Sequence, residues 1–469
     1  MAKPAVAADE VSAGFAIDRH KLTLEDGYRT ESAGPFYYSQ QTDVEDLWAV
    51  PPFYSSSREP GIGREEQDIL YPLFTRIRYK NEGQSECRWQ FFEVINHSSG
   101  AAPGGQTEEA DARRFTLFPF YFQQRSTDTN LNYTAVLPFY GHLKNRLFRS
   151  EISFVMFPAY METRRRDVVT DNYFFPFVDV RHGDGLEGWQ VWPFAGHVHK
   201  EPTTQTNGFG EVSAVPGFDH SFYLWPIHLR QDNGTGSDNP EKFRAEIPFY
   251  VASRSPARDF TSVLWPFFTS VDDRLKKYHE WGAPWPLVVF ARGEGKHTSR
   301  VWPLFSEYHN ATREIDSYLW PVYVYTRTHA DPLDRERAQV LYFLYSHRTE
   351  KNTETGKART RVDLWPFFTW HHELNGDERL QILAPLEPAL PYNAGLQRNW
   401  SPLWSLWRAE ENPRTGARSQ SCLWNLYRHE QTPGHEKTSV CFGLYQRQAG
   451  PDGKSVRLFY CPLGGARHQ

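Results

Sequence analysis

His197 and His199 stand at alternate positions and so share one face of any extended segment, while His220 or His228 can approach from the next one. A three-histidine metal site can therefore be drawn around the interval from Pro193 to Pro226. With 18 histidines in the chain, such a pair also arises by composition, and surface imidazoles explain it without a metal. His371 and His372 pose the same alternative. Asp179 is the most suggestive single acid, because it follows Phe174-Phe175-Pro176-Phe177 and precedes Arg181-His182; an ion pair or a turn charge is its plainer reading. The candidate ligand-binding set is accordingly His197, His199, His220, Asp179 and His182, with no metal, no cofactor and no assigned catalytic residue. Phosphate-loop, nucleophile-elbow, His-Glu-x-x-His and Cys-x-x-Cys patterns are all absent from the sequence.

The elements that must carry these residues come from a repeat. Copies of Val/Leu, Trp/Leu, Pro, Phe/Leu, Phe/Tyr recur along nearly the whole chain, clearest at Leu264-Trp265-Pro266-Phe267-Phe268, Val301-Trp302-Pro303-Leu304-Phe305, Leu319-Trp320-Pro321-Val322-Tyr323 and Leu364-Trp365-Pro366-Phe367-Phe368. Such a period, near twenty residues, is the signature of a repeat architecture. The apolar runs are too short for helices and rich in strand formers, and turn residues separate them, so each period is expected to supply one strand and one tight connection. Proline at one level in many strands then implies a shared line of bulges, with both sheet faces buried at mid-strand. Trp265, Pro266, Trp302, Pro303, Trp320, Pro321, Trp365 and Pro366 are expected in the core.

The expected fold is all-β: an antiparallel meander of about 22 strands in a large barrel-like or propeller-like closed sheet. Residues 1–30 are expected to form an N-terminal extension, 31–463 a single repeat-built domain and 464–469 a tail. The stretch from Asn96 to Gly105 and the acidic patch after it are expected as a surface loop. The four cysteines are expected as free buried thiols, although pairing across neighbouring strands is conceivable.

A net charge of -5 provides no basic footprint for nucleic acid. No run of eighteen apolar residues is present for a spanning helix. The apolar runs are also too short for spanning strands of about 9 to 11 residues, so membrane association is disfavoured. If Met1 replaces a processed signal the protein is periplasmic, cell-surface or secreted; otherwise it is cytoplasmic. The leading functional expectation is a non-enzymatic envelope or secreted scaffold that binds a glycan or an envelope protein. A polysaccharide hydrolase or lyase on the same scaffold is the second, and an outer-membrane pore or transporter the third.

Overall fold

The computed structural model describes residues 14–81, 84–100, 113–206, 212–451 and 453–463. The chain is all-β: among the described residues there are 45 strands, 43 of them in one long antiparallel meander, and two short α-helices, Ala394–Asn399 and Ser401–Trp404. Strand structure begins at Asp18, inside the stretch expected as an extension. Ile95–Ser99 is a strand rather than a loop, while 101–112 and 464–469 lie outside the described residues. Two compact units are present: residues 1–93 with 98–101 and 321–469, and residues 94–97 with 102–320.

Twice as many strands form as the repeat suggests, because the motif is a turn and the polar tracts are the strands. Val263, Phe268 and Val288 end or begin strands, whereas Leu264-Trp265-Pro266-Phe267 reverses the chain, with Phe267 N–H donating to the Leu264 carbonyl at 2.8 Å. The Trp265–Pro266, Trp302–Pro303 and Trp365–Pro366 bonds are cis, the arrangement of a turn with proline at its third position. Proline lacks the N–H that a ladder needs. Each period of about twenty residues therefore holds two strands, one apolar turn and one polar turn. Typical strands, such as Arg258–Val263 and Phe268–Asp273, have 6 residues, roughly 20 Å at 3.3 Å per residue.

Closure is also absent. Asp18–Lys21 pairs with Gly27–Ser32, Cys461–Leu463 pairs with Gly453–Leu458, and neither a closed barrel nor a propeller is found among the described residues.

Within the 102–320 unit the strands alternate in the ordinary way, and many of their buried positions are small, such as Ser262, Thr269, Val271, Val289 and Ala291. One larger apolar cluster is formed by Tyr133, Ala135, Leu143, Ile152 and Phe154. There Gly141 is required, because an added Cβ would stand 2.2 Å from the Phe154 ring.

In the other unit, N-terminal and C-terminal segments meet through polar groups. Fully buried Asp68 accepts from Arg398 at 3.1 Å and from Asn399 at 3.0 Å, and Arg398 also pairs with Glu66. Tyr38 donates to the Arg398 carbonyl at 2.8 Å, Thr23 to Ser419 at 2.6 Å, and Asn425 to Glu31 at 2.7 Å. Buried charge of this kind must be paired to be tolerated, and here it is.

Candidate functional site: a shallow apolar rim of turns

An antiparallel meander puts alternate connections on opposite edges of the sheet. In the 102–320 unit this sorts the turns by chemistry. One edge collects Phe118-Pro119-Phe120, Leu137-Pro138-Phe139, Phe174 to Phe177, Leu224 to Ile227, Leu264 to Phe267 and Trp302 to Leu304. The other collects polar connections such as Arg166-Asp167, Asp184-Gly185, Arg274 to Lys277 and Glu294-Gly295, with Leu147-Phe148 as an apolar exception.

The apolar turns are joined to one another by backbone hydrogen bonds. Phe174 N–H donates to the Ala159 carbonyl at 2.8 Å and Phe175 N–H to that of Pro158 at 2.8 Å. The same link runs from Leu224 to Phe194 at 2.6 Å, from Leu264 to Phe249 at 2.8 Å and from Leu319 to Leu304 at 2.7 Å. Within single turns, Phe177 N–H donates to Phe174 and Ile227 N–H to Leu224. Prolines have no N–H to satisfy. The edge thus meets many of its own backbone hydrogen-bonding needs without water.

Its side chains face out. Trp265, Trp302 and Trp320, and Trp365 in the other unit, are 36–42% exposed, which corrects their expected place in the core; Pro266 is half-buried and Pro303 exposed, and Pro321 and Pro366, both in the other unit, are half-buried. The rings bury their remaining surface against the next turn, as in Trp192 on Trp225 (5.8 Å between centroids) and Trp302 on Trp320 (5.5 Å).

The strand positions next to these turns continue the apolar surface. Val136, Tyr140, Val155, Tyr160, Tyr173, Val178 and Val191 are successive cross-strand partners and so share one face. Two residues farther from the turns, that face carries His142, Ser153, Glu162 and Asp171, again successive partners. From Tyr140 to Tyr173 the apolar layer ends within one strand residue of the turns, a depth on the order of 5–10 Å, whereas the same row turns apolar again at the exposed Val180 and Trp189. Tyrosines span its lower boundary: the Tyr160 hydroxyl donates to Asp171 at 2.9 Å and that of Tyr318 to Glu307 at 3.2 Å.

The residues singled out by spacing do not converge. His197 and His199 both contact Asp219 Oδ2 at 3.1 Å; burial pushes the Asp219 carboxyl up, but these two histidines outweigh it and hold it below its usual range. His220 is paired with Val198, which puts it on the opposite sheet face from His197 and His199, and it contacts Asn233 Oδ1 at 2.6 Å. Parity along the strand thus removes the three-histidine site, His228 instead pairs with Glu246 at 2.8 Å, and no metal-holding cluster is found among the described residues. Asp179 is buried and receives two hydrogen bonds from Arg181 at 2.9 and 3.0 Å, while exposed His182 lies 3.9 Å from Asp171. Asp179 and Arg181 thus form an ion pair on one strand. The interval after His199 forms a small hairpin, Thr203–Thr206 with Val212–Val215; residues 207–211, including Gly208, Gly210 and Glu211, lie outside the described residues. All four cysteines are free; Cys441 and Cys461 are exposed and Cys87 and Cys422 half-buried, none of them fully buried.

No family model matches the chain and no curated protein matches it. Among the described residues, no helix is long and apolar enough to cross a membrane.

Proposed function

We propose that this protein is a non-enzymatic envelope scaffold that rests on a lipid bilayer through its apolar turns. The observation that carries this reading is a continuous edge of exposed Trp, Phe, Leu and Pro residues whose turns hydrogen-bond to one another. In hydrocarbon an unpaired backbone group costs several kcal/mol, so internal pairing is the condition for entering it. Aromatic residues favour the boundary between headgroups and acyl chains, and tyrosine suits it with an apolar ring and a polar tip.

The depth supports an interfacial seat. Strands of about six residues are short of the 9 to 11 residues that a spanning strand needs. An apolar layer of roughly 5–10 Å matches an interfacial anchor instead. The polar edge, with Arg274, Lys276, Lys277 and Glu294, remains in water. Glycan or envelope-protein binding by that scaffold is compatible with the same placement.

The test is flotation of the full chain with zwitterionic phosphatidylcholine vesicles. The chain should float with the lipid, and raising salt from 0.1 to 1 M should not release it, because an uncharged rim is not screened. Failure to float, or release by salt, would overturn the reading.

A further inference from the structure

On the polar edge of the 102–320 unit one turn departs from its neighbours. The strands Tyr140–Arg146 and Arg149–Val155 pair as a hairpin with Arg146 opposite Arg149, so Leu147 and Phe148 alone make the turn. Both have positive φ, 52° and 60°, as in a type I′ turn, which favours Asn-Gly and disfavours bulky side chains. Elsewhere on this edge glycine takes such positions, as Gly185 (φ 67°) and Gly295 (φ 70°) do. Leu147 is 75% and Phe148 99% exposed, so packing among the described residues does not account for two large apolar side chains there.

Positive charge flanks the tip. From Lys144 to Asp167 the sequence carries six Lys and Arg residues against three carboxylates, in a chain whose net charge is -5. Of the carboxylates, Glu151 is engaged by Arg164 at 3.9 Å, and Glu162 lies two strand positions from Arg164 on the side away from the turn. Arg146 and Arg149 stand directly opposite one another, an arrangement that repels. The next strand ends at Arg165, and Arg166 follows it in the adjacent turn of the same edge. Arg146, Arg149, Arg165 and Arg166 make no ion pair among the described residues.

Beside the tip lies a cavity of about 110 Å³ lined by Arg114, Gln124, Leu131, Lys144, Asn145 and Arg146, with three cations and no carboxylate. Arg146 Nε donates to the Tyr133 hydroxyl at 3.0 Å and Lys144 Nζ to the Asn130 carbonyl, both neutral acceptors. Asp128, in the segment that carries Asn130, caps its short turn by accepting from Asn130 N–H at 2.9 Å. The cavity exceeds the space of a single water severalfold and has room for one phosphate group.

We propose that this hairpin is a contact for an anionic phospholipid surface. Leu147 and Phe148 enter the acyl boundary, a headgroup phosphate accepts from Lys144 and Arg146 in the cavity, and Arg149, Arg165 and Arg166 meet the surrounding headgroups. A fluid bilayer requires no matching shape, which suits a projecting two-residue tip. A stable protein partner requires about 800 Å² of complementary surface on each side, more than two side chains present. The remainder of this edge is polar and stays in water. The two strands of the hairpin, 7 residues each, end on the opposite edge at the turns around Pro138 and Pro158, about 23 Å away. Joined to the reading of those turns as an interfacial anchor, the hairpin lets one chain hold two bilayers; its own lipid contact does not depend on that reading.

The test takes the full chain with vesicles of phosphatidylcholine alone and with phosphatidylserine added at about 30%. Flotation reports attachment, and light scattering reports clustering of vesicles. Phosphatidylserine vesicles should cluster in 0.1 M salt and separate in 1 M salt, because the arginine contacts are screened. Phosphatidylcholine vesicles should float the chain without clustering. Each arginine near an anionic surface raises affinity roughly fivefold. Replacing Arg149, Arg165 and Arg166 with glutamine should therefore raise the chain concentration needed for half-maximal clustering on the order of 100-fold. Leu147→Asn with Phe148→Gly should abolish clustering and leave Tm unchanged or higher, since the turn prefers Asn-Gly; the variant should still float with phosphatidylcholine, its opposite edge being intact. A chain that does not float with phosphatidylcholine refutes the anchor reading alone, and the hairpin then predicts salt-sensitive flotation with phosphatidylserine vesicles that the same double variant loses. Absence of clustering by a chain that floats, equal clustering of both vesicles, undiminished clustering in the double variant, or, in a chain without the anchor, absence of that flotation would overturn the proposal. So would tip-dependent binding of poly-L-glutamate with no effect of lipid, which would make the hairpin a dock for an acidic protein.

Discussion

Replacing Phe249, Phe267 and Leu304 together with serine would remove three apolar side chains from one edge of the 102–320 unit. They are 68%, 56% and 55% exposed, so little core packing is lost. An aromatic side chain presents roughly 150–250 Å² in all, so about half of it, near 100 Å², is available to lipid at each position. At about 25 cal/mol per Å², complete immersion is worth about 2.5 kcal/mol per residue. An interfacial anchor immerses about half of that surface, which gives roughly 1.2 kcal/mol each and about 3.5 kcal/mol for three. With 1.4 kcal/mol per decade, the vesicle partition coefficient should fall by between two and three orders of magnitude. Flotation across a series of lipid concentrations measures that coefficient, and denaturant unfolding of the same variant monitors stability. Exposed substitutions of this sort should change stability by no more than about 0.5 kcal/mol each. Unchanged partition would refute the reasoning. So would an equal loss from serine at Leu275, which is 79% exposed on the polar edge.

Trp265→Ala should cost about 1–2 kcal/mol in chemical unfolding rather than the 3–5 of a fully buried aromatic, because the ring is 41% exposed. Arg398→Met should be far more damaging, about 3–5 kcal/mol, since it leaves Asp68 and Glu66 buried without their cation. Glu410 supplies a pH dependence: burial raises its carboxyl, but Arg408 and Arg379 outweigh that and hold it at about 2. Its stabilisation is complete above about pH 4.5, is lost as pH falls through about 2, and is on the order of 3 kcal/mol. Glu410→Gln should flatten that part of a stability-against-pH curve, and an unchanged acid limb would contradict the assignment.

All-β character, antiparallel order and the period near twenty residues were legible in the sequence, because proline and turn residues punctuate the chain so regularly. The identity of the strands was not. Short runs rich in Trp, Phe and Val ordinarily mark strands, yet in Leu264-Trp265-Pro266-Phe267 the proline cannot join a ladder and the run becomes the turn. Tracts as polar as Arg64–Ile69 then form the strands, doubling their number. That inversion also moved the tryptophans from the expected core to an exposed edge.

Which residues meet was decided by tertiary structure. His197, His199 and His220 look like a set by spacing, but cross-strand parity sends His220 to the other face. Arg361, His371 and Arg379 give no local signal, since they lie on three separate strands and only the register aligns them. The sequence did hold one overlooked irregularity, the proline-rich interval Pro385 to Pro391, where the alternation of strand and turn lapses. Sequence by itself determined the alternation of apolar and polar tracts, because that is a property of neighbours along the chain. The tertiary structure decided which tract reverses direction, which edge collects the aromatic turns and which charges share a face, because hydrogen-bond register acts between residues that the chain keeps apart.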